Sequence, residues 1–216
     1  MKNLNELRTL YNLKKYELKE RLKEFKNIRE NGNDKDIFKE LIFCLLTPQS
    51  KAVFCWQAVL DMENKNILFK GSKKDIANSL NKVRFKNKKA EYIIEVQNKF
   101  SDEKKFKEFK NFLLDEKLET DYKREWLVKN IKGYGLKEAS HFLRNIGFGD
   151  SIAILDRHIL KNLKYYGLIS EIPKTLTPKV YFLIENRMRN FIKSIDIGMD
   201  EFDLLLWYKE TGFIFK

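Results

Sequence analysis

A lysine and an aspartate nineteen positions apart are the residues of this sequence best placed to do chemistry. Lys137 closes the stretch Lys132-Gly133-Tyr134-Gly135-Leu136-Lys137, and Asp156 lies within Leu155-Asp156-Arg157-His158. Two glycines permit backbone conformations closed to other residues, so 125–147 reads as helix, tight turn, helix. Amide N–H groups at such a turn, shaped by Lys132, Gly133 and Gly135, form a ready site for a backbone phosphate. Lys137 falls in the first turn of the second helix, where the helix dipole mildly disfavours a cation. A neutral amine beside a deoxyribose C1′ is a nucleophile that displaces a base and forms a Schiff base. Residue type alone allows a plainer role, a surface lysine that binds phosphate. Asp156 stands where a helix N-cap belongs, after the apolar link Ile152-Ala153-Ile154-Leu155, and capping is a sufficient reason for it. A carboxylate near Lys137 would also assist deprotonation and stabilise positive charge developing on a sugar. His158, in the first turn after the cap, is either a phosphate contact or a polar helix residue.

Helices must position these side chains. Only 9 Gly and 3 Pro occur in 216 residues, too few for a turn-rich β fold. Apolar residues recur at helical spacing: Phe38, Leu41, Ile42 and Leu45, then Val53, Trp56, Val59 and Leu60, then Tyr92, Ile93 and Val96. Thr177-Pro178 reads as an N-cap with proline at the first helical position, and Gly212 as a helix stop. The spacing predicts eleven helices, near 2–29, 35–46, 51–62, 73–81, 87–100, 103–115, 121–131, 136–146, 157–166, 178–195 and 200–211. Strand-like alternation is nowhere sustained, and the fold class is all-α. The length suits one core, or two small lobes that share a cleft.

The formal net charge is +12 and the pI near 9.5. Charge of that size fits a polyanionic partner such as nucleic acid, and equally a lysine-rich solvated surface. Two cysteines, Cys44 and Cys55, sit in apolar surroundings and read as core residues; four thiolates would be needed for an iron–sulfur cluster. No apolar run approaches the length of a membrane span, and the N-terminus lacks a signal-peptide core. A cytoplasmic location, no membrane partner and no catalytic metal are the expectations.

Taken together, these segments resemble the helix–hairpin–helix DNA glycosylase superfamily, whose bifunctional members carry a hairpin lysine and a later aspartate at this spacing. Within it the likeness is to the archaeal-type (type 2) 8-oxoguanine DNA glycosylase/AP lyases. It extends over 42–52, 83–93, 137–147, 171–176 and 206–212, covering most of the chain from residue 36 onward. The resemblance implies a two-lobed helical bundle with the active site in the cleft between lobes, one lobe of about 50–147 and the other of 1–49 plus 148–216. It implies Lys137 as nucleophile and Asp156 as the assisting carboxylate. It assigns Gln49 to the gap left by a flipped base, and Phe85, Trp207 and Lys216 to the lesion base; as plain residue types the two aromatics would more often be core. Lys132, Gly133, Gly135 and His158 would contact DNA. No cofactor is implied beyond a monovalent cation that hairpin carbonyls of the superfamily often hold. The expected partner is double-stranded DNA containing 8-oxoguanine, and the expected state is a monomer. Three alternatives stay open: the same mechanism on another oxidised base, a non-catalytic helix–hairpin–helix DNA-binding protein, and a basic helical interaction protein.

Overall fold

A computed structural model of the chain describes residues 3–216. Among them there are eleven α-helices and no strand. They are α1 (Leu4–Asn31), α2 (Asp34–Leu46), α3 (Ala52–Asn64), α4 (Lys73–Ser79), α5 (Lys86–Lys99), α6 (Glu103–Leu114), α7 (Thr120–Asn130), α8 (Leu136–Asn145), α9 (Arg157–Tyr165), α10 (Pro178–Ile195) and α11 (Met199–Thr211). Every predicted helix is present within a few residues of its expected ends. The expected start of the first helix at residue 2 lies outside the described residues.

The chain divides into two compact units, one of residues 28–142 and one of 1–27 plus 143–216. The division is not the expected one, because residues 28–49 belong with the hairpin. The reason is α2. Its side chains from Ile37 to Leu46 are buried around almost the whole helix, Lys39 excepted, the pattern of a central helix rather than a surface one. It packs on α3, α5 and α6. Its start is fixed by a reciprocal cap, in which Asn33 Oδ1 accepts the Asp36 amide (3.0 Å) and Asp36 Oδ2 accepts the Asn33 amide (3.1 Å). Phe38 of α2 joins Phe69, Phe100, Phe106 and Phe109 in a continuous aromatic cluster. The buried stripe of α3 is Ala52, Cys55, Ala58, Val59 and Met62. Val53 and Leu60, two of the residues whose apolar spacing marked this helix, are exposed, because the stripe is turned about one residue from that pattern.

In the other unit, α11 packs on both α9 and α10. The local signals read from sequence act as expected here. Thr177 Oγ1 accepts the Val180 amide with Pro178 at the first helical position, and Gly212 ends α11 in the left-handed region at φ 80°. The apolar link 152–155 is extended chain without helix or strand partners, so its backbone polar groups need side chains. α10 supplies them. Glu185, fully buried, accepts the Ala153 amide at 2.7 Å, and the Tyr181 hydroxyl donates to the Ala153 carbonyl at 2.6 Å while accepting the Leu155 amide at 3.4 Å.

Candidate active site

Lys137 emerges from the hairpin between α7 and α8. Gly133 adopts φ 92°, and a Cβ there would lie 2.6 Å from the Tyr92 ring, so glycine is required twice over. Tyr134, between the two glycines, is buried; its hydroxyl donates to the Leu41 carbonyl at 2.7 Å and its ring meets Phe142 edge-on. The middle residue of Gly-Tyr-Gly therefore anchors the turn to α2. The Gly135 amide donates to Glu138 Oε2 at 3.1 Å, a carboxylate cap on the first turn of α8. The Tyr134 amide is taken as well, donating to the Ile131 carbonyl at 3.1 Å. Lys132 reaches Glu95 at 2.6 Å on the exposed surface, where a phosphate would compete with that carboxylate.

The Lys137 amine donates to Thr47 Oγ1 at 2.9 Å and lies 3.7 Å from Glu138 Oε1, with about a fifth of the side chain exposed. Thr47 in turn donates its hydroxyl proton to the Cys44 carbonyl at 2.9 Å. With that proton committed, the Thr47 oxygen faces Lys137 as an acceptor. Sequence reasoning passed over Thr47, although it stands two residues before Gln49. Gln49 itself is exposed and held at φ 54°, in the left-handed region. Phe85 shares that rare conformation at φ 59°, with 59% of its surface exposed. A bulky residue at positive φ costs on the order of 1–3 kcal/mol and persists only where its surroundings over-determine it. The core reading of Phe85 is excluded; its ring is presented to solvent.

Asp156, His158, Trp207 and Lys216 belong to the other unit. Asp156 is the N-cap of α9, accepting the Ile159 amide at 2.8 Å, and its backbone follows directly from the link that Glu185 and Tyr181 hold. His158 meets the Trp207 ring edge-on, with centroids 5.3 Å apart, and its Nδ1 lies 3.8 Å from Glu210 Oε2. Glu210, unnoticed in the sequence, also binds Lys161 (2.7 Å) and Asn162 (3.0 Å). Trp207 is half-buried, and its indole N–H is buried without an acceptor. The last residues turn back on α1: Arg21 Nε donates to the Phe215 carbonyl, and Lys216 is buried. Both cysteines are buried, as expected, and carry thiols rather than a disulfide. Among the described residues no group of three His, Cys, Asp or Glu is placed to hold a metal ion, and no helix is long and apolar enough to cross a membrane.

The hairpin lysine lies in one of the two units and the capping aspartate in the other. The family model for 8-oxoguanine DNA glycosylase matches residues 18–197. The chain belongs to that family. An 8-oxoguanine DNA glycosylase/AP lyase of Fusobacterium nucleatum is 52% identical over 98% of this chain and 97% of its own length. One from Korarchaeum cryptofilum is 38% identical over 92% of this chain and 90% of its own. The crystal structure of the Methanocaldococcus jannaschii 8-oxoguanine glycosylase/lyase, in complex with a 15-mer DNA containing 8-oxoguanine, superposes with a TM-score of 0.85 at 35% identity, covering 99% of this chain and all of that one. The matched span of this 8-oxoguanine DNA glycosylase family member includes Lys137 and Asp156, whereas Trp207 and Lys216 fall beyond it.

Proposed function

We propose that this enzyme excises 8-oxoguanine from DNA and cleaves the strand 3′ to the abasic site, with Lys137 as the nucleophile. The observation that carries the assignment is the Lys137 amine on the hairpin helix, held by the Thr47 hydroxyl in a chain of this family. In the first step the amine lone pair bonds to C1′ as the glycosidic C–N bond breaks. The base departs with that electron pair and takes up a proton. The attached nitrogen then loses a proton, and its lone pair forms the C1′=N bond of a Schiff base as the C1′–O4′ bond breaks and O4′ takes up a proton. Removal of a C2′ proton then expels the 3′ oxygen with its phosphate. Asp156 is assigned the carboxylate role: assisting deprotonation and stabilising positive charge on the sugar. Its cap bond occupies one carboxylate oxygen and leaves the other available.

Recognition follows from the remaining side chains. Phe85 offers the flat apolar face on which an extruded base stacks. Trp207, half-buried, is assigned to the lesion base as well. Lys216 is assigned to the same base. Gln49, exposed from its turn, fits insertion into the gap the base leaves. Lys132, Gly133, Gly135 and His158 are assigned to the phosphate backbone, with Gly135 acting through its shape while Glu138 holds its amide. A monovalent cation at the hairpin would use carbonyls such as those of Ile131 and Gly135, each of which accepts one backbone amide and keeps a second lone pair.

Strand-cleavage assays on otherwise identical duplexes containing 8-oxoguanine, guanine, another oxidised base or a preformed abasic site test this reading. Cleavage of the 8-oxoguanine and abasic duplexes, with guanine untouched, is the expected result. Cleavage of a different oxidised base in preference to 8-oxoguanine would overturn the substrate assignment.

A further inference from the structure

Lys89, on α5, is buried, with 4% of its surface exposed. Its ammonium has three N–H groups, and three neutral acceptors meet them: the carbonyls of Leu46 (2.7 Å) and Pro48 (2.8 Å) and the hydroxyl of Ser50 (3.0 Å). Burial pulls the Lys89 pKa down to about 8, the Lys137 charge acts in the same direction, and Cys55 and Glu138 oppose it. A buried cation with only neutral hydrogen-bond partners is costly to the fold. Its acceptors suggest what that cost secures. They flank Thr47 and Gln49, so one ammonium grips the Thr47–Ser50 turn from both sides. Ser50 Oγ also accepts the Arg84 amide at 3.1 Å, the residue directly before Phe85. The two exposed left-handed residues, Gln49 and Phe85, are thus joined through a single hydroxyl to a single lysine. Thr47, in the same turn, holds the Lys137 amine.

We infer that Lys89 is a positioning residue for base excision: its buried ammonium locks the Thr47–Ser50 turn, presenting Gln49, seating Thr47 against Lys137 and, through Ser50, fixing the turn that carries Phe85. Its effect on rate rests on the excision reading above, and its effect on the turn rests on the hydrogen bonds alone. The inference separates Lys89 from the surface lysines, since it has no exposed ammonium to offer a phosphate.

Three measurements on the whole protein test it. Lys89→Met keeps the stem and removes the donors, and Ser50→Ala, a smaller change, removes only the bridging hydroxyl. Amide hydrogen exchange at Ser50 and Arg84 should rise by about tenfold or more in Lys89→Met, and at Arg84 in Ser50→Ala, with the Tyr134 amide of the hairpin unchanged. Single-turnover excision by Lys89→Met should fall by roughly 10- to 100-fold, the penalty typical of a misplaced reacting group. Affinity for undamaged duplex should stay within about twofold, because no phosphate contact is lost. In a Thr47→Val/Gln49→Ala/Phe85→Ala background the same Lys89→Met change should cost less than about threefold, because the side chains it acts through are gone. Exchange at Arg84 unaltered in both variants would overturn the positioning role, as would an equal loss of excision in both backgrounds. Wild-type protein that excises nothing would count against the excision reading, and the exchange result would then decide the turn by itself.

Discussion

The Asp156 carboxylate accepts the Ile159 amide at 2.8 Å, so its capping role and the chemical role proposed for it fall on one group and substitution can divide them. Asparagine caps a helix about as well as aspartate, within a few tenths of a kcal/mol. Asp156→Asn should therefore unfold in urea at nearly the wild-type midpoint while losing about 100-fold or more in excision rate, the contribution expected of a positioned acid–base group. A large drop in the midpoint would make the carboxylate structural. Lys89 gives a second separable signal. Its pKa in the folded protein is about 8 against an ordinary value of 10.5, so between those limits the unfolded chain binds a proton that the folded chain has released. Its contribution to stability is therefore least favourable below about pH 8 and becomes more favourable as pH rises toward 10.5. Burial raises the Cys55 thiol to about 11, which works in the opposite sense from about pH 9 upward, so the clean quantity is a difference. Urea unfolding at pH 7 and pH 9 should show wild type gaining stability relative to Lys89→Met as pH rises; a constant difference would contradict the depressed pKa.

At the scale of elements, the hairpin is a backbone device secured by three side chains: Tyr92 against Gly133, Tyr134 on the Leu41 carbonyl, and Glu138 on the Gly135 amide. Gly133→Ala would place a Cβ against the Tyr92 ring and force alanine to φ 92°. The expected cost is at least about 2 kcal/mol, combining positive-φ strain with the close contact. For a chain of this length that corresponds to a fall in Tm of about 4–8 °C, readable by circular dichroism. Glycine was legible here because the conformational demand sits in the residue itself. Asp156, Thr177-Pro178 and Gly212 were legible for the same reason, since caps and stops are local. Thr47, Glu185, Tyr181 and Lys89 were not. Each acts on a partner distant in sequence, Lys137 on Thr47 at a separation of 90 positions and Lys89 on Leu46 at 43, and nothing in the neighbouring sequence marks the partner. Lys89 in particular looks like any other of 43 basic residues. The left-handed backbone at Gln49 and Phe85 was equally hidden, because neither residue type favours it.

For the molecule as a whole, eleven helices could be read from apolar spacing and punctuation, whereas the boundary between units could not. That boundary depends on which neighbours α2 acquires, and its apolar residues would suit either unit. Net charge of +12 is likewise a whole-molecule property, and its meaning is testable by salt. If lysine–phosphate contacts release counterions, affinity for undamaged duplex should fall by more than about tenfold between roughly 50 and 200 mM salt. A flat response would mark the charge as a solvated surface.

The central claim is that Lys137 becomes covalently attached to the sugar of the damaged nucleotide. Borohydride reduces a Schiff base to a stable amine, so it fixes the enzyme to its substrate at the moment the intermediate exists. Treating wild-type protein with borohydride on an 8-oxoguanine duplex should yield a protein–DNA adduct, and digestion should locate the modification on the peptide carrying Lys137. Lys137→Gln, still folded and still binding duplex, should yield no adduct. An adduct mapped to any other residue, or one that survives in Lys137→Gln, would contradict the account.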